Sequence, residues 1–306
     1  MTKKAVVCLF LFFLLPLNTA LKAQNLSFLR YGGGARAFGM ANAYTALAEG
    51  AEAAFWNPAF LESEGTGSSL LDYSKDENKQ RLFLGFSYDL NKFTTGFSYY
   101  SNSVMNIKFF PKEQYFGISF SARIAGALRF GATVKYIYLR HIHFYKQYWS
   151  ALDIGAGYSM LNNRLRFGAV IKDICFSKND AAGNIKPFSS YRFGISYSFP
   201  KNEDNVYLTT SVELVHETDD IYYDLRSELE ISPDLSTTLN IGNELNICEM
   251  FFIRLFGFSI PLNKDIGQDV YFIGGFGIRS KKIIFDLGGY LNNDRIPVKI
   301  SLKYGF

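Results

Sequence analysis

The sequence predicts an all-β fold: a transmembrane antiparallel β-barrel of about 14 strands with a small N-terminal plug. Three observations predict it: a short apolar leader, a long series of segments in which apolar residues alternate with small or polar ones, and a final alternating segment that ends in Phe306. Composition agrees. Thirty Phe and 20 Tyr exclude a disordered chain, and 3 Cys exclude a disulfide scaffold. Only one long apolar run exists, so a bundle of membrane helices, each needing about 20 apolar residues, is excluded as well.

The leader sets the compartment. Lys3 and Lys4 precede an almost unbroken apolar stretch from Ala5 to Leu17, too short to span a bilayer and right for the core of a secretory signal. Residues 1–23 are expected to be a signal peptide cut after Ala23. Its removal takes away Lys3, Lys4 and Lys22 and no acid, which lowers the formal net charge from +4 to +1. No basic run remains to suggest nucleic acid. Cys175 and Cys248 stay in the mature chain and could pair in an oxidising periplasm.

The body of the chain, residues 66–306, reads as strands. Leu82, Leu84, Phe86, Tyr88 and Leu90 fall on one face, and Phe83, Gly85, Ser87 and Asp89 on the other. The same texture recurs at 116–120, 130–134 and 193–197. At 223–231 it is sharper, with Asp224, Arg226, Glu228 and Glu230 on a single face. Alternation alone does not separate a soluble barrel, apolar inside, from a membrane barrel, apolar outside. Length favours the membrane: ten residues tilted by about 45° cover roughly 23 Å, close to the apolar band of an outer-membrane barrel.

The last segment points the same way. Val298, Ile300, Leu302, Tyr304 and Phe306 alternate with Lys299, Ser301, Lys303 and Gly305. It resembles the terminal strand of bacterial outer-membrane proteins, which the barrel-insertion machinery reads. Candidate strands include 205–215, 222–231, 235–245 and 251–260. The full set is odd in number, whereas a closed barrel of this class has an even one. The early connections alternate long and short, which makes odd strands run outward, and the last strand must run inward. The surplus therefore lies between Val215 and Pro261, giving 14 strands, with 16 as the alternative.

Residues 24–65 have a different texture, rich in Gly and Ala, and are expected to form the plug. Gly34-Ala35-Arg36-Ala37-Phe38-Gly39-Met40, then Ala43-Tyr44-Thr45-Ala46-Leu47-Ala48, then Ala54-Phe55-Trp56-Asn57-Pro58-Ala59 make up its motif. Ala41, Ala43, Ala46 and Ala48 suit a close-packed helical turn, and Asn57-Pro58 suits an N-cap and first helical position. Arg36, with five donors, is expected to reach a lumenal carboxylate such as Asp89 or Glu228. The motif resembles the start of PorV/PorQ-family proteins, a branch of the FadL-like outer-membrane barrels. Glu49-Gly50 with Glu52, and Phe60, depart from that pattern.

The resemblance implies a protein of the bacterial outer membrane associated with type IX secretion, binding secreted cargo or secretion-system proteins alongside outer-membrane lipid. FadL-like passage of hydrophobic small molecules and a purely structural barrel are the alternatives. The plug residues singled out are Gly34, Arg36, Gly39, Met40, Tyr44, Trp56, Asn57 and Pro58. Phe109 and Phe110, in an aromatic loop over 101–114 flanked by Tyr100 and Tyr115, are the candidate partner-binding pair. No catalytic constellation, cofactor motif or metal site is expected: His141 and His143 lack further ligands, and His216 beside Glu217, Asp219 and Asp220 reads as a solvated loop.

Overall fold

The computed structural model describes residues 32–63, 65–75, 79–104, 112–140, 146–176, 189–201, 205–217, 236–262, 271–291 and 298–306. Fourteen strands follow a helical N-terminal segment: β1 Gly67–Lys75, β2 Lys79–Asp89, β3 Thr94–Val104, β4 Lys112–Ala125, β5 Leu128–Arg140, β6 Lys146–Met160, β7 Leu165–Cys175, β8 Ser190–Ser198, β9 Val206–Glu217, β10 Ser236–Ile247, β11 Phe251–Pro261, β12 Tyr271–Ser280, β13 Ile283–Tyr290 and β14 Val298–Gly305. Each pairs with its sequence neighbours, and β1 closes on β14 with Tyr73 opposite Ile300. A closed barrel leaves no free edge, which satisfies every strand's backbone inside a membrane. β9 pairs directly with β10, so both edges of each are taken. The surplus candidate, 222–231, lies outside the described residues.

Most connections after odd strands are long, among them 105–111, 176–189, 218–235 and 262–270, and most after even strands are short, among them 126–127, 248–250 and 281–282; 76–78 and 199–205 depart from the pattern. Short periplasmic turns and longer outer loops orient the odd strands outward. The sidedness of the alternation settles the choice between soluble and membrane barrel. On β2, Leu84, Phe86 and Tyr88 face outward about 40% exposed, while Phe83 and Ser87 are fully buried inward. The large apolar residues meet lipid, and the Gly and Ser face turns to the lumen.

The lumen is occupied. Helical turns at Ala35–Gly39, Gly50–Glu52, Ala53–Trp56 and Pro58–Phe60 lie inside the wall. The first packs against β11 to β14, the second against β1 to β3, the third against β2 to β4 and the last against β4 to β6. Residues 40–48 complete the circuit along β7 to β10, where Thr45, Ala46 and Met40 approach Gly168, Gly194 and Gly242. The expected short helical turn is confined to Tyr44–Ala48, where the Leu47 and Ala48 N–H groups donate to the Tyr44 carbonyl at 3.0 and 2.8 Å. Ala41 and Asn42 take φ of 52° and 61°, a left-handed bend that no helix continues.

Cys175 ends an outward strand and Cys248 follows an inward one, so the two sit at opposite ends of the wall and cannot pair. His216 belongs to β9, where its Nδ1 lies 3.0 Å from Thr237 Oγ1 on β10, and not to a solvated loop. His141, His143, Asp219 and Asp220 lie outside the described residues.

Candidate functional site: the plug and the lumenal wall

The eight plug residues singled out from sequence are brought together by the fold. Asn57 has extended backbone (φ −157°) and caps the turn Pro58–Phe60, with Pro58 at its first position. Its Oδ1 accepts from Ala59 N at 3.1 Å, and its Nδ2 donates to the carbonyls of Thr45 (3.1 Å) and Ala156 (3.2 Å). One side chain therefore ties two stretches of plug to β6. Trp56 Nε1 donates to the Gly33 carbonyl at 2.7 Å, and its ring meets Tyr44 edge-on at 5.8 Å. Gly34, at φ +97°, brings the chain beside Glu52, and Gly39 lies against Arg254 and Gly275. Met40 is fully buried, its carbonyl against Gly242.

Arg36 reaches a lumenal carboxylate, as expected, but that carboxylate is Glu244 and not Asp89. The turn that carries it packs on β11 to β14, so its guanidinium reaches Glu244 of β10, with Nε and Nη2 donating at 3.0 and 2.8 Å. Asp89 lies at the inner end of β2, where it accepts from Asn91 N, and Glu228 lies outside the described residues. Glu244 also accepts from Arg254 Nε at 2.7 Å, and Arg254 Nη1 meets Asp286 at 2.7 Å. The result is a buried chain of alternating charge from plug to β13.

A second anchor is Glu213 of β9, whose Oε2 accepts the backbone N–H groups of both Tyr44 and Thr45 at 2.7 Å. Tyr44 Oη donates to Glu52 at 2.9 Å. Burial, opposed by Arg36 and reinforced by Glu52, pushes the Tyr44 phenol well above its ordinary value, so it stays a neutral donor. Lys303 Nζ donates to Glu52 at 3.2 Å. Near the periplasmic mouth Glu62 accepts from Arg123 and Arg129 at 2.5 and 3.2 Å. Partial burial works to raise its carboxyl, but these two arginines outweigh it and hold it below the usual carboxylate range.

A third cluster was missed in the sequence. Lys135 Nζ lies 2.7 Å from both Asp153 and Asp173, all three fully or almost fully buried. A register shift opposite Asp153 and a left-handed φ of 61° at Asp173 turn consecutive residues, Lys172 and Asp173, to the lumen together. Lys172 Nζ then stands 3.6 Å from the Phe55 ring centroid, a cation on an aromatic face. The signal was present, since Lys135 and Glu213 stand on the Gly and Ser face of their strands. The bulge that adds Lys172 carried none.

The outer half of the lumen over β3 to β6 holds an aromatic cluster beside these charges, with Lys135 Nζ 5.4 Å from the Tyr115 ring centroid. Phe55, at the top of the plug, faces Phe83 (ring centroids 6.0 Å apart), Tyr100 (6.3 Å) and Tyr115 (6.1 Å). Leu139 and Trp149 extend the same cluster outward. Tyr100 and Tyr115 thus line the lumen and not an outer loop or an interfacial girdle. Phe109 and Phe110 lie outside the described residues.

No protein-family model matches this chain, and no curated protein matches it in sequence. Solved structures match it in fold. The Pseudomonas putida toluene transporter TodX superposes with a TM-score of 0.64 at 13% identity, over 90% of this chain and 99% of that one. The CymD monoaromatic hydrocarbon channel gives 0.62 at 14% identity, over 90% and 98%. A Pseudomonas aeruginosa FadL homologue gives 0.52 at 11%, over 89% and 98%. The chain therefore shares the barrel fold of these outer-membrane proteins, and its N-terminal segment fills a 14-strand wall.

Proposed function

We propose that this barrel passes small hydrophobic molecules across the outer membrane through a lumen gated by the plug. The observation that carries the reading is the aromatic sector in which Tyr100, Tyr115 and Trp149 of the wall meet Phe55 of the plug, in a fold shared with proteins described as a toluene transporter and a monoaromatic hydrocarbon channel. Ligand sites of this kind are mostly apolar, with a few placed polar groups. The secretion-associated reading rests on the motif over residues 34–59, and the structure accounts for that motif without a partner. Met40, Tyr44, Trp56 and Asn57 are fully buried and hold the plug to the wall, so none presents a surface to cargo. The experiment is uptake of a labelled aromatic hydrocarbon by cells with and without the protein, beside a sugar of similar size. Faster uptake of the hydrocarbon alone supports the reading. Equal uptake, together with a changed surface-protein profile on deletion, would return the function to secretion.

A further inference from the structure

At the outer ends of β4, β5 and β6 three cations stand directly opposite one another. Lys112 is in register with Arg140, and Arg140 with Lys146. All three are on the outward face. Arg140 follows Val134 and Tyr136 in the exposed alternation of β5, and Lys112 precedes the exposed Phe116, Ile118 and Phe120 on β4. Strands lie about 4.8 Å apart, so the row spans roughly 10 Å. Like charges directly opposite each other on one face repel. Among the described residues no ion pair relieves them. The nearest acid in register, Glu113, points to the lumen, where it accepts from Asn102 at 2.5 Å.

The position of the row is fixed by what lies beneath it. Two residues toward the membrane centre, Tyr138 and Tyr148 face each other with ring centroids 5.2 Å apart, and Tyr136 stacks on Tyr148 at 5.8 Å. Beside them Tyr99 packs on Phe116 at 4.8 Å. Outward tyrosines of this kind form the girdle that sits at the headgroup level of an outer-membrane barrel. The cations therefore stand just beyond the apolar band, on the side of the long loops, at the height of the outer-leaflet headgroups.

We infer that Lys112, Arg140 and Lys146 bind the phosphate groups of a phosphorylated glycolipid of the outer leaflet. A row of three cations fits a headgroup with two phosphates, with Arg140 at the centre offering the paired donors that suit phosphate geometry. The tyrosine belt beneath provides a surface for the first carbons of the acyl chains. This inference is independent of what the lumen carries.

The test uses the full-length protein in detergent, with bisphosphorylated lipid A, fully dephosphorylated lipid A and inorganic phosphate as probes. The wild type should bind the bisphosphorylated lipid. The triple variant Lys112→Thr, Arg140→Thr, Lys146→Thr should bind it on the order of a hundredfold more weakly, as three interfacial cations predict. Dephosphorylated lipid A should bind the wild type no better than intact lipid binds the variant. Millimolar inorganic phosphate should not compete. Equal affinity of wild type and variant would overturn the site, and full competition by inorganic phosphate would overturn the lipid as its source. If the triple variant fails to assemble, the wild type decides: its affinity must fall steeply with added salt, and a salt-independent affinity overturns the proposal.

Discussion

Asn57 is the residue on which the inner turn of the plug depends most. It makes three hydrogen bonds with one buried amide, and Asn57→Ala removes the cap, the donor to the Thr45 carbonyl and the tie to Ala156, whose carbonyl stays in the ladder of β6. Loss of the cap alone costs about 1 kcal/mol, and the buried Thr45 acceptor left without this donor adds about 1 more or above. Hydrogen exchange should then quicken over residues 43–60 while the strands stay protected. Asn57→Ser keeps a side-chain oxygen for the cap and loses the amide's two donations, so it should fall between. Gly155 is the wall's answer to Asn57. A Cβ there would lie 2.1 Å from Asn57 Oδ1, and at Gly168 it would lie 2.4 Å from the Thr45 carbonyl. Gly155→Ala should therefore open the same plug residues as Asn57→Ala, even though it leaves every plug residue unchanged. An unaltered exchange pattern in Gly155→Ala would contradict the seating described above. At this scale the sequence was informative about which residues matter and poor about what they touch. Asn57 and Pro58 announce a cap through local chemistry. The partner of Arg36, Glu244, is set by the wall, 208 residues away in sequence.

Two elements carry predictions of their own. The junction between plug and β1 is held by Glu62 with Arg123 and Arg129. Since the folded protein holds this carboxyl below its usual range, the tie is complete at pH values above that range. It weakens as pH falls through the lowered value. The group is partly solvated, so its worth is less than about 1 kcal/mol. Protease access at residues 61–66 should rise on acidification in the wild type, and Glu62→Gln should show the raised access already at neutral pH. A Glu62→Gln protein that still gains access with the wild-type pH profile would assign the effect to another group. The last strand is the second element. Thr66 and Gly67 donate backbone N–H groups to the Phe306 carbonyl at 2.8 and 3.2 Å, and the Phe306 ring stacks on Phe86 at 5.7 Å. Deleting Phe306 removes the closing contacts between β14 and the start of β1, so the amount of assembled barrel should drop. Wild-type abundance of the truncated chain would count against this role. Strands were legible because alternation with period two is local. The bulge at Asp173 was not, because it depends on the register between β6 and β7.

For the whole molecule, sidedness and strand count were readable because a barrel must close with an even number and end inward. The lumenal contents were readable only in outline. The Gly and Ser face marked an inner surface that admits other backbone closely, but the aromatic roof of Tyr100, Tyr115 and Trp149 lay near segments that looked like loop from sequence. The same geometry makes the function testable. The plug touches every strand of the wall, so a solute crossing the lumen requires the plug to move. A Cβ built on Gly194 would stand 3.4 Å from the Ala46 Cβ, close to the separation a disulfide spans. The decisive measurement is hydrocarbon uptake by Ala46→Cys, Gly194→Cys with the native cysteines replaced, under oxidising and then reducing conditions. The cross-link should form, uptake should fall to the level of cells lacking the barrel, and reduction should restore it. A cross-link that forms while uptake continues undiminished would contradict passage through this lumen, and failure of the cross-link to form would contradict the placement of the plug.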